Sequence, residues 1–507
     1  MQPPNSAVPD LDAANPNLDE VPSPVGPLLY LHGLEQGRIQ LAILLIRPLD
    51  EAPPIMTVEG EAVAAQRLYQ RQGLCVLRYP FSLPAATGGI YCVDGETYAV
   101  AGVPDGDLRL AYVSCNGQEE GDFARSTDER NPMWQRLADQ HAEEPYHLLL
   151  QGGDQLYADE MLEVHPAVQA WNDGELVECN APMLKEISAL LRDFLFRAYR
   201  HLYRQPAPAW VMARVPSLCM WDDHDICDGW GSLNESKLDH PIGRAVFQAA
   251  RELFLLFQAG CTDDSPPPIF LDRPMRTLTW AVNLPGLLLL APDLRSERRP
   301  QRIMGPAGWE AVEDVLKATS PCRVLILSSV PLLGPRLSLV EALMHWLPGM
   351  QKYEDDLRDQ WQSRAHREEW RRMLRILLAV HEREGCQVTL VSGEIHLATR
   401  GTMATSHGPL HQLIASGIAH PAPTPWYGRV LGTLARLGEA PLEGHPIRLL
   451  PLPGRRSIYT SQRNYLVLER RAGRWSARWE LESNGTTPPL ELEEKYASPS
   501  RQWSRAS

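Results

Sequence analysis

No C-x-x-C pair occurs among the nine cysteines, which stand apart as Cys75, Cys92, Cys115, Cys179, Cys219, Cys227, Cys261, Cys322 and Cys386. That excludes zinc-ribbon and thioredoxin-type sites. Scattered thiols in a long chain fit a reducing compartment, so the expected location is cytoplasmic. The first 27 residues carry neither a basic n-region nor an apolar h-region, so they do not read as a secretory signal. No run approaches the roughly 18 apolar residues that a membrane span needs. The nearest, residues 284–291, is interrupted by Pro285 and Gly286. Positive charge is also short: 49 Lys and Arg face 63 Asp and Glu, a formal net charge of −14. Phosphate backbones and anionic membranes attract basic faces, so nucleic-acid or membrane-surface binding is not the expected main role. A small phosphate substrate stays open, because a bound metal reverses the local sign. Neither a G-x-S-x-G elbow nor a G-x-x-x-x-G-K-[ST] loop occurs, which removes two competing ester and phosphate mechanisms.

What is present is ordinary globular composition, with 44% hydrophobic and 22% charged residues in 507. That length exceeds one core and implies several domains or one large domain with insertions. Residues 1–27, rich in proline and acid, read as a flexible tail. Residues 28–106 hold short apolar or alternating runs between Gly/Pro/Asp clusters and read as a small β-rich domain. From 107 to 484, apolar runs ending in small and polar residues alternate with helical stripes. One stripe within 187–204 carries Leu190, Leu191, Phe194, Leu195, Ala198 and Leu202. Another within 366–384 carries Trp370, Met373, Leu374, Leu377 and Leu378. This alternation predicts an α/β (α+β layered) body. Strand character returns at 457–484, with a turn at 471–473, and is expected to close a sheet edge. Residues 485–507 read as a polar tail, and the inserts at 262–276 and 335–365 as surface excursions.

The residues ending the apolar runs carry the functional signal, because ligands of layered α/β folds sit at the carboxyl ends of strands. Cys115 follows LAYVS. Asp154 and Tyr157 follow HLLLQGG. Asp222, Asp223, His224 and Asp225 follow LCMW. Glu394 and His396 follow QVTLVSG. Four such ends point to one convergent site. Carboxylates, a phenol, a thiol and imidazoles mix hard and borderline donors, which suits two or more cations. Asp154 could bridge two of them, and two close cations can activate water against a phosphorus centre.

This set resembles a known family. GDQLYAD at 153–159 is similar to the GD-x-x-Y block of binuclear metallophosphoesterases, near the purple acid phosphatase form. WDDHD at 221–225 is similar to GNH[DE] with Asp for Asn. SGEIH at 392–396 resembles G-H-x-H with Glu for the first His. SCNG at 114–117 puts a cysteine in place of D-x-H. Together they resemble the PhoD-like alkaline phosphatases, over roughly 107–420. The resemblance implies a metallophosphoesterase-type β-sandwich core flanked by helices. It implies that Cys115, Asp154, Tyr157 and His396 bind a first metal, Fe(3+). Asp154 bridges to a second, Ca(2+), held by Asp223 and Glu394, with Mn or Zn as substitutes. A metal-bridging hydroxide attacks a small phosphate ester, mono- or diester, and His224 assists as acid.

The bland readings stand beside these. A lone buried cysteine or tyrosine is usually packing, and acids at a turn usually cap a helix. Three acids around one histidine repel one another without a cation or hydrogen bonds, which favours a site role for 222–225. Asp223 is the expected ligand there, with Asp222 and Asp225 behind it. Asp293 and Arg295 read as a structural pair before a phosphate clamp, and His420 as surface or core before a residue lining the pocket. The family's usual extra histidine near ILSSVP is replaced by Ser328 and Ser329. That permits an alternative, a catalytically silent binding or regulatory protein on the same fold.

Overall fold

The computed structural model describes residues 24–320, 322–334, 360–393, 395–436 and 438–493. Glu394, residues 335–359 of the second insert, residues 1–23 and residues 494–507 lie outside the described residues.

The apolar runs are strands. Leu108–Val113, Leu148–Gly152 and Ser217–Met220 are buried at every position and lie side by side in parallel. Continuous apolar sequence is what a parallel strand covered on both faces requires. They sit inside an eleven-stranded sheet. A second, eight-stranded sheet holds Leu287–Ala291, Arg323–Ser328, Gln387–Ser392 and Leu410–Ile414, also parallel and adjacent in that order. Alternate residues of the second sheet separate by face. Leu287, Leu289, Leu325 and Leu327 join the core shared with the first sheet. Leu288, Leu290, Val324 and Ile326 pack instead with Trp309, Val312, Trp370 and Leu374 from helices Pro306–Ala318 and Arg367–His381. That two-residue period places one core between the sheets and another under the outer helices. The architecture is the expected layered α/β sandwich, with each parallel run presenting its carboxyl ends at one edge.

Both helical stripes are helices. The first runs Ala181–Tyr203, starting ahead of its apolar stripe because the Asn180 side chain accepts from Met183 N at 2.9 Å. Leu191, Phe194, Leu195, Ala198 and Leu202 are buried along it.

Residues 28–106 are strand-rich, as expected, and most of their strands extend the eleven-stranded sheet. Val25–Glu35 pairs in parallel with Ser217–Met220 through Tyr30 and Ser217. Arg38–Pro48 and Leu74–Pro84 follow it outward. Only the short strands Met56–Val58, Glu61–Val63, Gly89–Val93 and Glu96–Val100 form a separate sheet. The boundary at 106 is therefore not a break in the main sheet. Asn464–Arg471 pairs antiparallel with Leu108–Val113, and Arg474–Leu481 follows it toward that edge.

The expected polar tail from 485 is corrected for its first part. Gly485–Thr486 and Leu490–Glu491 both pair with Arg474–Leu481, held because Thr487 N and Leu492 N donate to Trp479 O and Trp475 O. The inserts are corrected likewise. Within 262–276, Ile269, Phe270 and Met275 are buried, and in the second insert Trp361 is fully buried. A few apolar anchors tie down segments whose composition reads as surface. No helix among the described residues is long and apolar enough to cross a membrane.

Candidate metal centre

The expected residues gather where the two parallel runs end. Cys115 stands just past Leu108–Val113, Asp154 past Leu148–Gly152, Asp222 and Asp223 past Ser217–Met220, and His396 past Gln387–Ser392. Cys115, Asp154 and His396 each hold φ between 52° and 54°. Left-handed backbone at a non-glycine residue costs about 1–3 kcal/mol and persists only where the surroundings enforce it. Here they do. Cys115 N donates to Gly153 O and Asn116 N to Asp154 O at 2.7 Å. Asp154 N donates to Asp225 Oδ2, and His396 N donates to Ser416 Oγ at 2.8 Å. The glycine before Asp154 is required by space as well as by its φ of 104°. A Cβ on Gly153 would lie 2.8 Å from that of Asp222.

Two donor groups meet at Asp154. Cys115, Asp154 and His396 each offer a ligand atom within 4.8 Å of the others, as do Asp154, Asp222 and Asp223. The Cys115 thiol lies 3.6 Å from Asp154 Oδ2 and 3.1 Å from Ser416 Oγ. Tyr157 Oη lies 3.0 Å from His396 Nε2. The other Asp154 oxygen, Oδ1, is buried with no hydrogen-bond partner. A buried carboxylate oxygen without a donor is costly, and a cation is the partner such an oxygen accepts.

The electrostatics point the same way. Burial, then the Asp222 charge, pushes the Asp154 carboxyl well above the usual carboxylate range. Burial, then Cys115 and Asp154, pushes the Tyr157 phenol up. Burial, then His420, pulls the His396 imidazole down. Burial also pulls His224 down, but Asp159 and Asp223 outweigh it and the imidazole sits well above its ordinary value. Asp154 and Tyr157 are thus held toward their neutral forms, a state that bound cations reverse.

His224 stacks on Tyr157 at 4.4 Å between ring centres. Its Nδ1 meets Asp159 Oδ2 at 2.7 Å, and Asp159 Oδ1 accepts from Asp228 N. Asp225 is a support: Oδ2 accepts from the Asp154 and Asp222 amides, and Oδ1 from Leu156 N and Gln258 Nε2. Burial raises its carboxyl to about 7.

Sequence reasoning misplaced some contacts. The Arg295 backbone amide donates to Asp293 Oδ1 at 3.0 Å. The Arg295 guanidinium, fully buried, pairs with Asp222 Oδ1 and, at 3.2 Å, with Asp223 Oδ1. Ser329 Oγ donates to Asp222 Oδ1 at 2.7 Å. His420, for which surface or core stood ahead of a pocket-lining place, stacks on His396 with ring centres 3.4 Å apart. Asp159 and Ser416 were missed altogether. Asp159 had one signal, its place five residues after Asp154 in GDQLYAD, whereas Ser416 had none.

A model of the family described as PhoD related phosphatase matches residues 85–353. Over 381 residues, 61% of this chain, the sequence is 25% identical to the uncharacterized protein YGR266W of Saccharomyces cerevisiae. The chain spans about half the length of that relative, the match covering 53% of it. Among solved structures, that of PhoD superposes with a TM-score of 0.57 at 11% identity, over 97% of this chain and 90% of that one. Purple acid phosphatase PPD1 from yellow lupin (Lupinus luteus) seeds superposes with a TM-score of 0.52 at 12% identity, over 95% and 75%. At these identities the likeness is one of fold.

Proposed function

Because this chain belongs to the PhoD related phosphatase family, we propose that it hydrolyses phosphoric esters, mono- or diesters of small molecules, at the centre built around Asp154. The observation that carries the reading is the meeting of two donor groups on one buried carboxylate with an unpartnered oxygen. Cys115, Asp154, Tyr157 and His396 would hold one cation, for which iron suits the thiol, phenol and imidazole. Asp154 and Asp223 would hold the other, for which calcium suits carboxylates, with manganese or zinc as substitutes. Glu394, outside the described residues, completes that second set in the proposal. When bound, the cations supply positive charge to phosphoryl oxygens and acidify a water for attack.

The chain's own groups do the rest. Asp159 occupies His224 Nδ1, so Nε2 is the ring atom left for the substrate. His224 then donates a proton to the leaving oxygen, or a hydrogen bond to the phosphate. Asp225 fixes the two loops that carry Asp154 and Asp222 relative to each other. Arg295 takes one oxygen each of Asp222 and Asp223, yet a carboxylate oxygen has two lone pairs, so Asp223 keeps capacity for a cation.

Arg295 also favours a second reading. A guanidinium already neutralising Asp222 and Asp223 suits a silent scaffold with a binding or regulatory role. The test is turnover of phosphate mono- and diesters by protein loaded with iron plus calcium, manganese or zinc. Hydrolysis that falls at least about a hundredfold in Asp154→Asn supports the enzyme. No turnover with any of these metals, or turnover indifferent to that substitution, sinks it. Iron on the Tyr157 phenolate would also give a visible absorption band, lost in Tyr157→Phe.

A further inference from the structure

A third donor group adjoins the Asp154 centre on its solvent side. Glu119, His396 and His420 offer ligand atoms within 4.8 Å of one another. Glu119 follows the Cys115 loop, and His420 follows the loop after Leu410–Ile414, so neither belongs to the motifs that define the centre. Two features set the pair apart from a simple ion pair. His420 Nδ1 lies 2.7 Å from the Pro421 carbonyl oxygen, which can only accept, so Nδ1 carries the proton and donates. With Nδ1 tied to a backbone carbonyl, Nε2 is the ring atom turned to Glu119, the orientation that metal-bound imidazoles ordinarily have. Then Nε2 stands 3.3 and 3.4 Å from the two Glu119 oxygens. A charge-assisted hydrogen bond closes to about 2.7–2.9 Å. Two ligands about 2.0–2.1 Å from one tetrahedral zinc lie about 3.3 Å apart.

We propose that Glu119 and His420, with His396 as third donor, form a further cation position at the rim of the centre, suited to zinc or a similar borderline divalent ion. Two imidazoles and a carboxylate make a three-ligand set that leaves a fourth place open. The Glu119 side chain is 47% exposed, so the position can exchange metal with solvent. His396 borders both this position and the Cys115–Asp154 group, so occupancy here bears on how that imidazole is shared.

The inference goes beyond the hydrolytic reading and is tested without turnover. Full-length wild type, Glu119→Gln, His420→Phe and Asp154→Asn are dialysed against Zn2+ and bound zinc is counted per chain. Co2+ loading gives a second readout through its visible spectrum. Glu119→Gln and His420→Phe are expected each to lose one equivalent or weaken it at least tenfold, while Asp154→Asn retains it. Zinc content and cobalt spectra matching wild type in Glu119→Gln, an exposed substitution that leaves the core untouched, would overturn the proposal. Because Asp154→Asn is scored separately, loss of zinc there alone leaves the Asp154 centre standing and removes only the rim position.

Discussion

At the scale of single residues, a few side chains hold the left-handed turns at Cys115, Asp154 and His396 in place. Asp225 accepts four hydrogen bonds, from the amides of Asp154, Leu156 and Asp222 and from Gln258. Asp225→Ala leaves buried donors without acceptors, each costing about 1–3 kcal/mol. Its melting temperature is expected to fall clearly, and metal affinity by about tenfold to a hundredfold. Unchanged thermal unfolding and metal uptake would show that Asp225 does not position the loops. Much of this scale was legible from sequence. Cys115, Asp154, Tyr157, Asp223, His224 and His396 do gather, because each follows an apolar run that could only be a buried strand. What was not legible is the choice of partner. The Arg295 guanidinium reaches Asp222 and Asp223 across about seventy residues, and the Cys115 thiol meets Ser416 across 301 positions. Sequence spacing carries no information about contacts made between two sheets.

At the scale of elements, several helices and strands rest on neutral imidazoles. His141, in helix Pro132–Glu143, accepts from Tyr146 N at Nδ1, and His381, closing helix Arg367–His381, accepts from Val388 N. His411, in strand Leu410–Ile414, is buried with neither ring nitrogen partnered. Burial, then nearby arginines, lowers His141 and His411 from 6.5 to about 4. A lowered histidine is worth its stability above the unfolded value, and that stability is lost as pH falls toward the folded value. Between pH 6.5 and 4 each group is therefore expected to cost about 1.4 kcal/mol per pH unit as the unfolded chain takes up protons. Denaturant unfolding at pH 7, 6 and 5 measures this. His411→Leu is expected to flatten the slope by one such share, and a slope identical to wild type would contradict a neutral, unpartnered His411. The helices themselves were legible from their stripes. Their starts were not, because Asn180 caps its helix ahead of the first buried residue.

At the scale of the molecule, the parallel order of strands places the site. Runs separated by as much as 300 residues end at one edge because the parallel parts of two mixed sheets pack face to face. The layering was readable from alternating strands and helices. The joining of the N-terminal strands was not, since composition cannot tell a separate sheet from a continuation. Val25–Glu35 lies beside Ser217–Met220, so a chain lacking residues 1–106 would leave one edge of that central strand unpaired and strip residues from the shared core. Such a chain is expected to give no cooperative thermal transition. A folded, cooperative remnant would show that residues 28–106 stand as a domain apart.

The central claim is that Asp154 joins two cations, and bound metal reports it most directly. Wild type and Asp154→Asn are loaded with iron and calcium, dialysed and measured for both elements. The account predicts that wild type retains iron and calcium and that Asp154→Asn loses both together, since one carboxylate serves both positions. Equal iron and calcium in the two proteins would contradict it.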